Sequence, residues 1–413
     1  MKFKELKGSF CIFFILVIAS GYASSAVMKD VEAPQNIKNQ SVVIPQAGIT
    51  ITAPLRLIGK VNIVGRGPIR LKGKGRIIVE QNSKVAIENV SIAASEIKVS
   101  EDESVVYLIS INTGARTSFS LHNSSIVLDI PYEKTNASAP WDEPPKYWAI
   151  GIPDVLSEFG SSTKVMLSGN KFRNIQPYGA GALSLRQTFV SQTPLTLRGE
   201  IIGNEFHGFH GAITANVLDG FKISRNRLVR NSFSNIFIGG QDVDVSDNDI
   251  YYPGDGNTGD GITVLNKLVN GRIEGNTIFV GSCYGILLRG DEIKGVLISD
   301  NNIINGITTA IQVEALSKKI ESVTVSNNMI SGNYGFAVTF LGVENSIIEN
   351  NHFSGNARGF PSQIYVERSP GLAVRGNLNA QPLSPEWAKE HELYRTHVNI
   401  DDSTYTLPGV KAD

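Results

Sequence analysis

One short pattern constrains this chain more than any other feature: apolar, any, any, Asn, any, apolar. It appears as Leu167-Ser-Gly-Asn170-Lys-Phe172 and Ile201-Ile-Gly-Asn204-Glu-Phe206, then around Asn226, Asn248, Asn276, Asn301, Asn328 and Asn351, with a degraded copy at Asn377. The asparagines are 34, 22, 22, 28, 25, 27, 23 and 26 residues apart. Recurrence at that period predicts a solenoid, in which each repeat buries its apolar face only against its neighbours.

Each repeat carries a second short run in which apolar residues alternate with others. Gly181-Ala-Leu-Ser-Leu185, Gly211-Ala-Ile-Thr-Ala215, Asp260-Gly-Ile-Thr-Val264 and Tyr284-Gly-Ile-Leu-Leu288 are examples. Period-two alternation over four or five residues predicts half-buried strands. A leucine-rich repeat shares part of the asparagine signature. The apolar positions here are mostly Ile and Val, a strand stands where that repeat places its helix, and coil lengths vary. A parallel β-helix fits better: strands of successive coils pair at about 4.8 Å, inward Ile, Val and Leu stack, and each Asn sits at a bend where it tolerates left-handed backbone. Parallel crossovers make the coil right-handed.

The expected architecture is all-β: a right-handed, single-stranded parallel β-helix of about 11 coils with a C-terminal capping segment. Residues 1–26 read as a signal peptide, with Lys2, Lys4 and Lys7 before the apolar Cys11–Ser20 and small residues up to Ala26. Residues 27–380 form the β-helix, interrupted by an insertion at 129–163, and 381–413 form a cap that opens on a short helix at Ser384-Pro385. Val85 to Ile92 reads as the first complete coil. The chain is then exported, periplasmic or secreted. Its one cysteine beyond the leader, Cys283, forms no internal disulfide. With 38 basic and 39 acidic residues the net charge is −1, which argues against a nucleic-acid partner. No stretch after the leader is apolar enough to span a membrane, and the oligomeric state stays open.

Residues 40–378 resemble the right-handed parallel β-helix, or pectate-lyase-like, superfamily. The asparagine ladder carries the resemblance, with the opening Ile63-Val-Gly65-Arg-Gly67 and Val85-Ala-Ile87-Glu-Asn89-Val-Ser-Ile92. The resemblance implies a polymer-binding groove along the stacked strands, as in polysaccharide lyases, uronan epimerases, polygalacturonases, tailspikes and proteins of exopolysaccharide operons. The implied function is a lyase acting on an acidic, uronate-containing polysaccharide by β-elimination. Epimerisation, glycoside hydrolysis, or non-catalytic glycan binding in exopolysaccharide assembly are the alternatives. Asn257-Thr-Gly-Asp260-Gly-Ile262 is similar to the polygalacturonase carboxylate motif, but His210 precedes it and the paired aspartates are missing.

Aligning the second strands on Leu183, Ile213, Ile236, Ile262, Ile286, Ile311 and Phe336 turns Ser184, Thr214, Phe237, Thr263, Leu287, Gln312 and Ala337 outward. A second outward column follows two residues later: Arg186, Asn216, Gly239, Leu265, Arg289, Glu314 and Thr339. His210 shares their parity. A lyase needs a base for the proton α to a carboxylate and a cation for the developing negative charge. Arg186, His210 and Asn216, one coil apart, are expected to meet on one sugar. Asp260, Tyr284, Arg289 and Glu314 form a second cluster. The candidate catalytic residues are therefore His210, Arg186 and Tyr284. Asn216, Arg289, Glu314, Thr214, Thr263 and Phe237 are candidates for substrate binding. Trp141 and Trp148, on the proline-rich insertion, are candidates for stacking on sugar rings. No cofactor is required; calcium is the one ion admitted, through Asp255 and Asp260.

Overall fold

A computed structural model describes residues 25–98, 103–131, 145–153, 162–176, 179–186, 195–251, 259–279, 283–304, 306, 308–318, 320–356, 363–378 and 398–400. The chain is an all-β, right-handed parallel β-helix. Every element among the described residues is a strand, and every strand pairing is parallel. One sheet has 27 strands and a second has 12. The larger sheet bends around two faces, so the coils stack as a three-sided prism.

One coil illustrates the path. Thr196–Ile202 lies on the second face, and Gly203-Asn204 makes the turn. Glu205–His207 lies on the twelve-stranded third face, and the corner at 208–210 leads into Gly211–Ser224. That last strand begins on the first face and bends at Val217, whose φ is 55°, onto the second face of the next coil. Ile213, Ile236, Ile262, Ile286 and Ile311 pair in register and are fully buried. Burying each is worth about 1.5–3 kcal/mol relative to exposure.

The asparagines form a continuous ladder. From Asn170 to Asn377, each Nδ2 donates to the Oδ1 of the asparagine one coil on, at 2.9–3.0 Å. Each backbone N–H donates to the same oxygen. The second Nδ2 proton goes to a strand carbonyl, as from Asn248 to Ile223. Left-handed backbone falls on the residue before each asparagine rather than on the asparagine itself: Gly203, Arg225, Asp247, Gly275 and Asp300 have φ between 56° and 66°. The bend thus aims the side chain along the stack, and the residue ahead of it absorbs the strain.

Two boundaries differ from expectation. Ser41–Ile44 already pairs with Lys60–Gly65, and Ile49–Ile51 with Pro68–Gly73, so complete coils precede Val85. Tyr147–Gly151, inside the expected insertion, is a first-face strand between Val106–Ile111 and Gly181–Leu185. Ala26 and Val27, at the expected leader boundary, pair with Val42 and Val43. Val398–Ile400 adds one rung beyond Leu372–Arg375, and the expected helix at Ser384 lies outside the described residues. Among the described residues no helix is long and apolar enough to cross a membrane.

Candidate functional site

The first face carries an outward column that runs Ser184, Thr214, Phe237, Thr263, Leu287, Gln312, Thr339, Tyr365. It matches the sequence alignment up to Gln312. There the alignment slips by two: Val338, not Phe336, pairs with Ile311, so Thr339 replaces Ala337. In the adjacent column Leu341 replaces Thr339 beside Glu314, and Glu367 follows. Phe336 instead lies half-buried against Tyr365, ring centroids 5.2 Å apart. Thr214 and Phe237 are half-buried in this face, whereas Thr263 is buried.

The four expected residues fall into two stacked pairs on the first face: Asp260 with Tyr284 where the strands begin, and Arg289 with Glu314 five residues further along. Asp260 Oδ2 accepts a 2.8 Å hydrogen bond from Thr263 Oγ1, which in turn accepts from Ser234 Oγ at 3.3 Å. Asp260 Oδ1 accepts from the Tyr284 backbone N–H at 3.2 Å. Burial raises the Asp260 carboxyl above its ordinary value; the Thr263 and Tyr284 hydrogen bonds and the Arg289 charge oppose that. Burial also raises the Tyr284 phenol, with Asp260 and Glu314 adding to the shift and Arg289 opposing it. Arg289 donates from Nε (2.8 Å) and Nη2 (2.6 Å) to Glu314 Oε2, and Gln312 Nε2 donates to the same oxygen at 2.9 Å. Ser234 and Gln312 are members that sequence reasoning did not single out; their only signal was outward or corner parity one coil from Asp260 and Arg289.

The expected convergence of Arg186, His210 and Asn216 does not occur. His210 precedes the strand that starts at Gly211, and Asn216 lies six residues further along, about 20 Å of extended chain. His210 does not face out: it is 4% exposed, in a corner beneath the next coil. Its ring stacks on Phe233 at 5.6 Å, and Ser232 Oγ lies 3.4 Å from Nδ1. Burial lowers its pKa to about 4, so the imidazole is neutral at neutral pH. Arg186 is half-buried at the far end of its strand.

Trp148 is likewise not a loop residue. It is 3% exposed and lies flat over Gly181, where an added Cβ would come 2.3 Å from its Cε3. Glycine at 181 is what lets the indole cover the next coil. Trp141 and Asp255 lie outside the described residues. Both Asp260 oxygens accept protein hydrogen bonds, and among the described residues no three His, Cys, Asp or Glu side chains gather as a metal site would require. An open depression of about 320 Å³ beside Arg66, Asn123 and Lys171 lies on the asparagine-turn edge, away from this cluster.

Fold and ladder define the class: this is a right-handed parallel β-helix protein. A family model described as "Right handed beta helix region" matches residues 191–338. No curated protein matches the sequence. Among solved structures, the A-module of the Azotobacter vinelandii mannuronan C-5 epimerase AlgE6 overlays with a TM-score of 0.51 at 14% identity, covering 85% of this chain and 91% of that one. The catalytic domain of a GH87 α-1,3-glucanase gives 0.47 at 14% identity, covering 82% and 64%. The periplasmic alginate epimerase AlgG gives 0.36 at 16% identity, covering 76% and 65%. At these identities the likeness is one of fold.

Proposed function

We propose that the chain is an exported polysaccharide-processing enzyme that cleaves an acidic, uronate-containing glycan by β-elimination, with its chemistry at Asp260, Tyr284 and Arg289. The observation that supports this is the coexistence of two acidic groups raised by burial, Asp260 and Tyr284, with one guanidinium whose charge reaches both. A carboxylate raised toward neutrality is a better base than an ordinary one, and a raised phenol keeps its proton to give away.

In this mechanism Arg289 faces the uronate carboxylate and stabilises charge that builds on it after deprotonation. Asp260 takes the proton from the carbon bearing that carboxylate. The adjacent C–O bond breaks as the C=C bond forms, and Tyr284 protonates the departing oxygen. His210 packs the corner and takes no proton. Turnover measured with added calcium and with a chelator decides whether the reaction uses calcium. Incubation with alginate, polygalacturonate and aminouronans is expected to give unsaturated products that absorb in the ultraviolet. No absorbing product from any of them overturns the reading.

The same incubations separate the other chemistries, hydrolysis among them. Asp260 and Glu314 are two coils apart and five residues offset along the strand, about 19 Å at the backbone, beyond the carboxyl separation of inverting glycosidases, so hydrolysis would rest on Asp260 with another acid. Saturated reducing ends, with no ultraviolet absorption, would identify it. A changed sugar ratio without shortening would identify epimerisation, and retention without turnover would identify a glycan-binding protein.

A further inference from the structure

The third face of the prism carries a second feature, separate from the acid–base cluster. Its outward residues nearest the corner stack in register as Arg173, His207, Val229, Tyr251, Phe279 and Ile304. Five coil steps span about 24 Å. The first half is cationic. Arg173 and Arg230 are exposed on either side of His207, and among the described residues neither pairs with a carboxylate. Elsewhere arginines pair across coils, as Arg198 does with Asp219 and Arg375 with Glu349. His207 Nδ1 is buried without a hydrogen-bond partner. Its pKa is lowered by burial and by both arginines, while the nearby Glu205 opposes them.

The second half is apolar and aromatic. Tyr251 is 46% exposed, and its ring lies 5.3 Å from that of Phe279 at 36°. Val229 and Ile304 flank the pair, half-buried. Beside the strip, two residues back on each strand, run Lys171, Glu205, Arg227, Asp249, Thr277 and Asn302, alternating charges followed by neutral polar groups suited to hydroxyls. The corner that follows these strands also carries His210 and Phe233, so the strip borders the edge of the first-face groove.

We propose that this strip is an accessory binding surface for an acidic polysaccharide: Arg173 and Arg230 hold the polymer's anionic groups, and Tyr251 and Phe279 stack on the apolar faces of its sugars. Charge complementarity selects the occupant. A pair of unneutralised guanidinium groups in line with a narrow aromatic strip matches a polymer that alternates charge with C–H faces. A second copy of the chain would place like charges together. The choice of an acidic glycan rests on the proposed function; the surface itself does not use Asp260, Tyr284 or Arg289.

Affinity electrophoresis through gels containing polygalacturonate, alginate or neutral dextran tests it. Wild type is expected to be retarded by the acidic polymers and not by dextran. Asp260→Asn should be retarded equally. Arg173→Ser/Arg230→Ser/Tyr251→Ala should lose about tenfold in retention, with an unchanged unfolding midpoint. If the aromatic change prevents folding, the two arginine substitutions alone carry the test. Wild-type retention by the triple variant, equal retardation by dextran, or no retardation in either acidic gel overturns the proposal. So does concentration-dependent dimerisation that the same substitutions abolish. Turnover is measured on the same proteins: a chain that is retarded but never cleaves fails the catalytic reading and leaves this one standing.

Discussion

Arg289 and Glu314 occupy the same outward column one coil apart, and the guanidinium places two donors, at 2.8 and 2.6 Å, on a single oxygen of Glu314. The cation expected to clamp a substrate carboxylate is therefore already bridged to a protein carboxylate. A uronate must compete with Glu314 for Arg289 or share it. Glu314→Gln is expected to lower KM for an acidic polymer several-fold while leaving kcat within about threefold, because a neutral amide holds guanidinium more weakly. A collapse of kcat instead would place Glu314 in the chemistry itself. Initial-rate kinetics separate the two.

Asp260→Asn should reduce kcat about 10²- to 10⁴-fold, the usual contribution of a positioned base. Its effect on stability has a definite sign. The folded carboxyl is raised above its unfolded value, so the folded chain binds the proton more tightly and is destabilised as pH rises through that window. The wild type should therefore lose stability relative to Asp260→Asn as pH increases from about 4 upward. Thermal unfolding of both proteins across a pH series checks this.

His210 gives the opposite slope. Its folded pKa of about 4 lies below the unfolded 6.5, so stability is fully present above 6.5 and is lost as pH falls toward 4. The full difference is about 3 kcal/mol. His210→Ala should destabilise by about 2 kcal/mol through the cavity left against Phe233, flatten that pH dependence, and leave turnover per folded molecule unchanged. A folded but inactive His210→Ala protein would return this residue to the chemistry.

Removing one rung of the ladder should be costly. Asn248→Ala removes donors to Asn276 and Ile223 and the oxygen that accepts from Asn226, leaving buried groups unpaired. Each such group costs about 1–3 kcal/mol. Chemical denaturation of Asn248→Ala against the wild type measures the loss; an unchanged midpoint would show that the ladder contributes nothing to stability.

Most of the fold was legible because it rests on short-range signals. Alternating Ile and Val mark strands within five residues, and a recurrent Asn marks each turn; neither needs knowledge of distant contacts. The inward column from Leu183 to Ile311 followed directly. The slip from Phe336 to Val338 did not, for a physical reason. A shift of one residue exchanges inside for outside, but a shift of two preserves parity, so the pattern cannot distinguish them. Backbone pairing to Ile311 decides it.

Two pairs, Asp260 with Tyr284 and Arg289 with Glu314, were readable from strand alignment, since residues at matched positions stack one coil apart. Their electrostatics were not. The raised Asp260 comes from burial, against the opposing hydrogen bond from Thr263, and the capture of Arg289 comes from a carboxylate 25 residues further along. His210 was misplaced because its corner is sealed by Phe233, 23 residues later in the chain and one coil away in space. Local periodicity alone fixes which residues are strands and which are turns in this chain. Which side chains are buried, paired or left charged depends on what the next coil lays over them, and only the stacked structure supplies that neighbour.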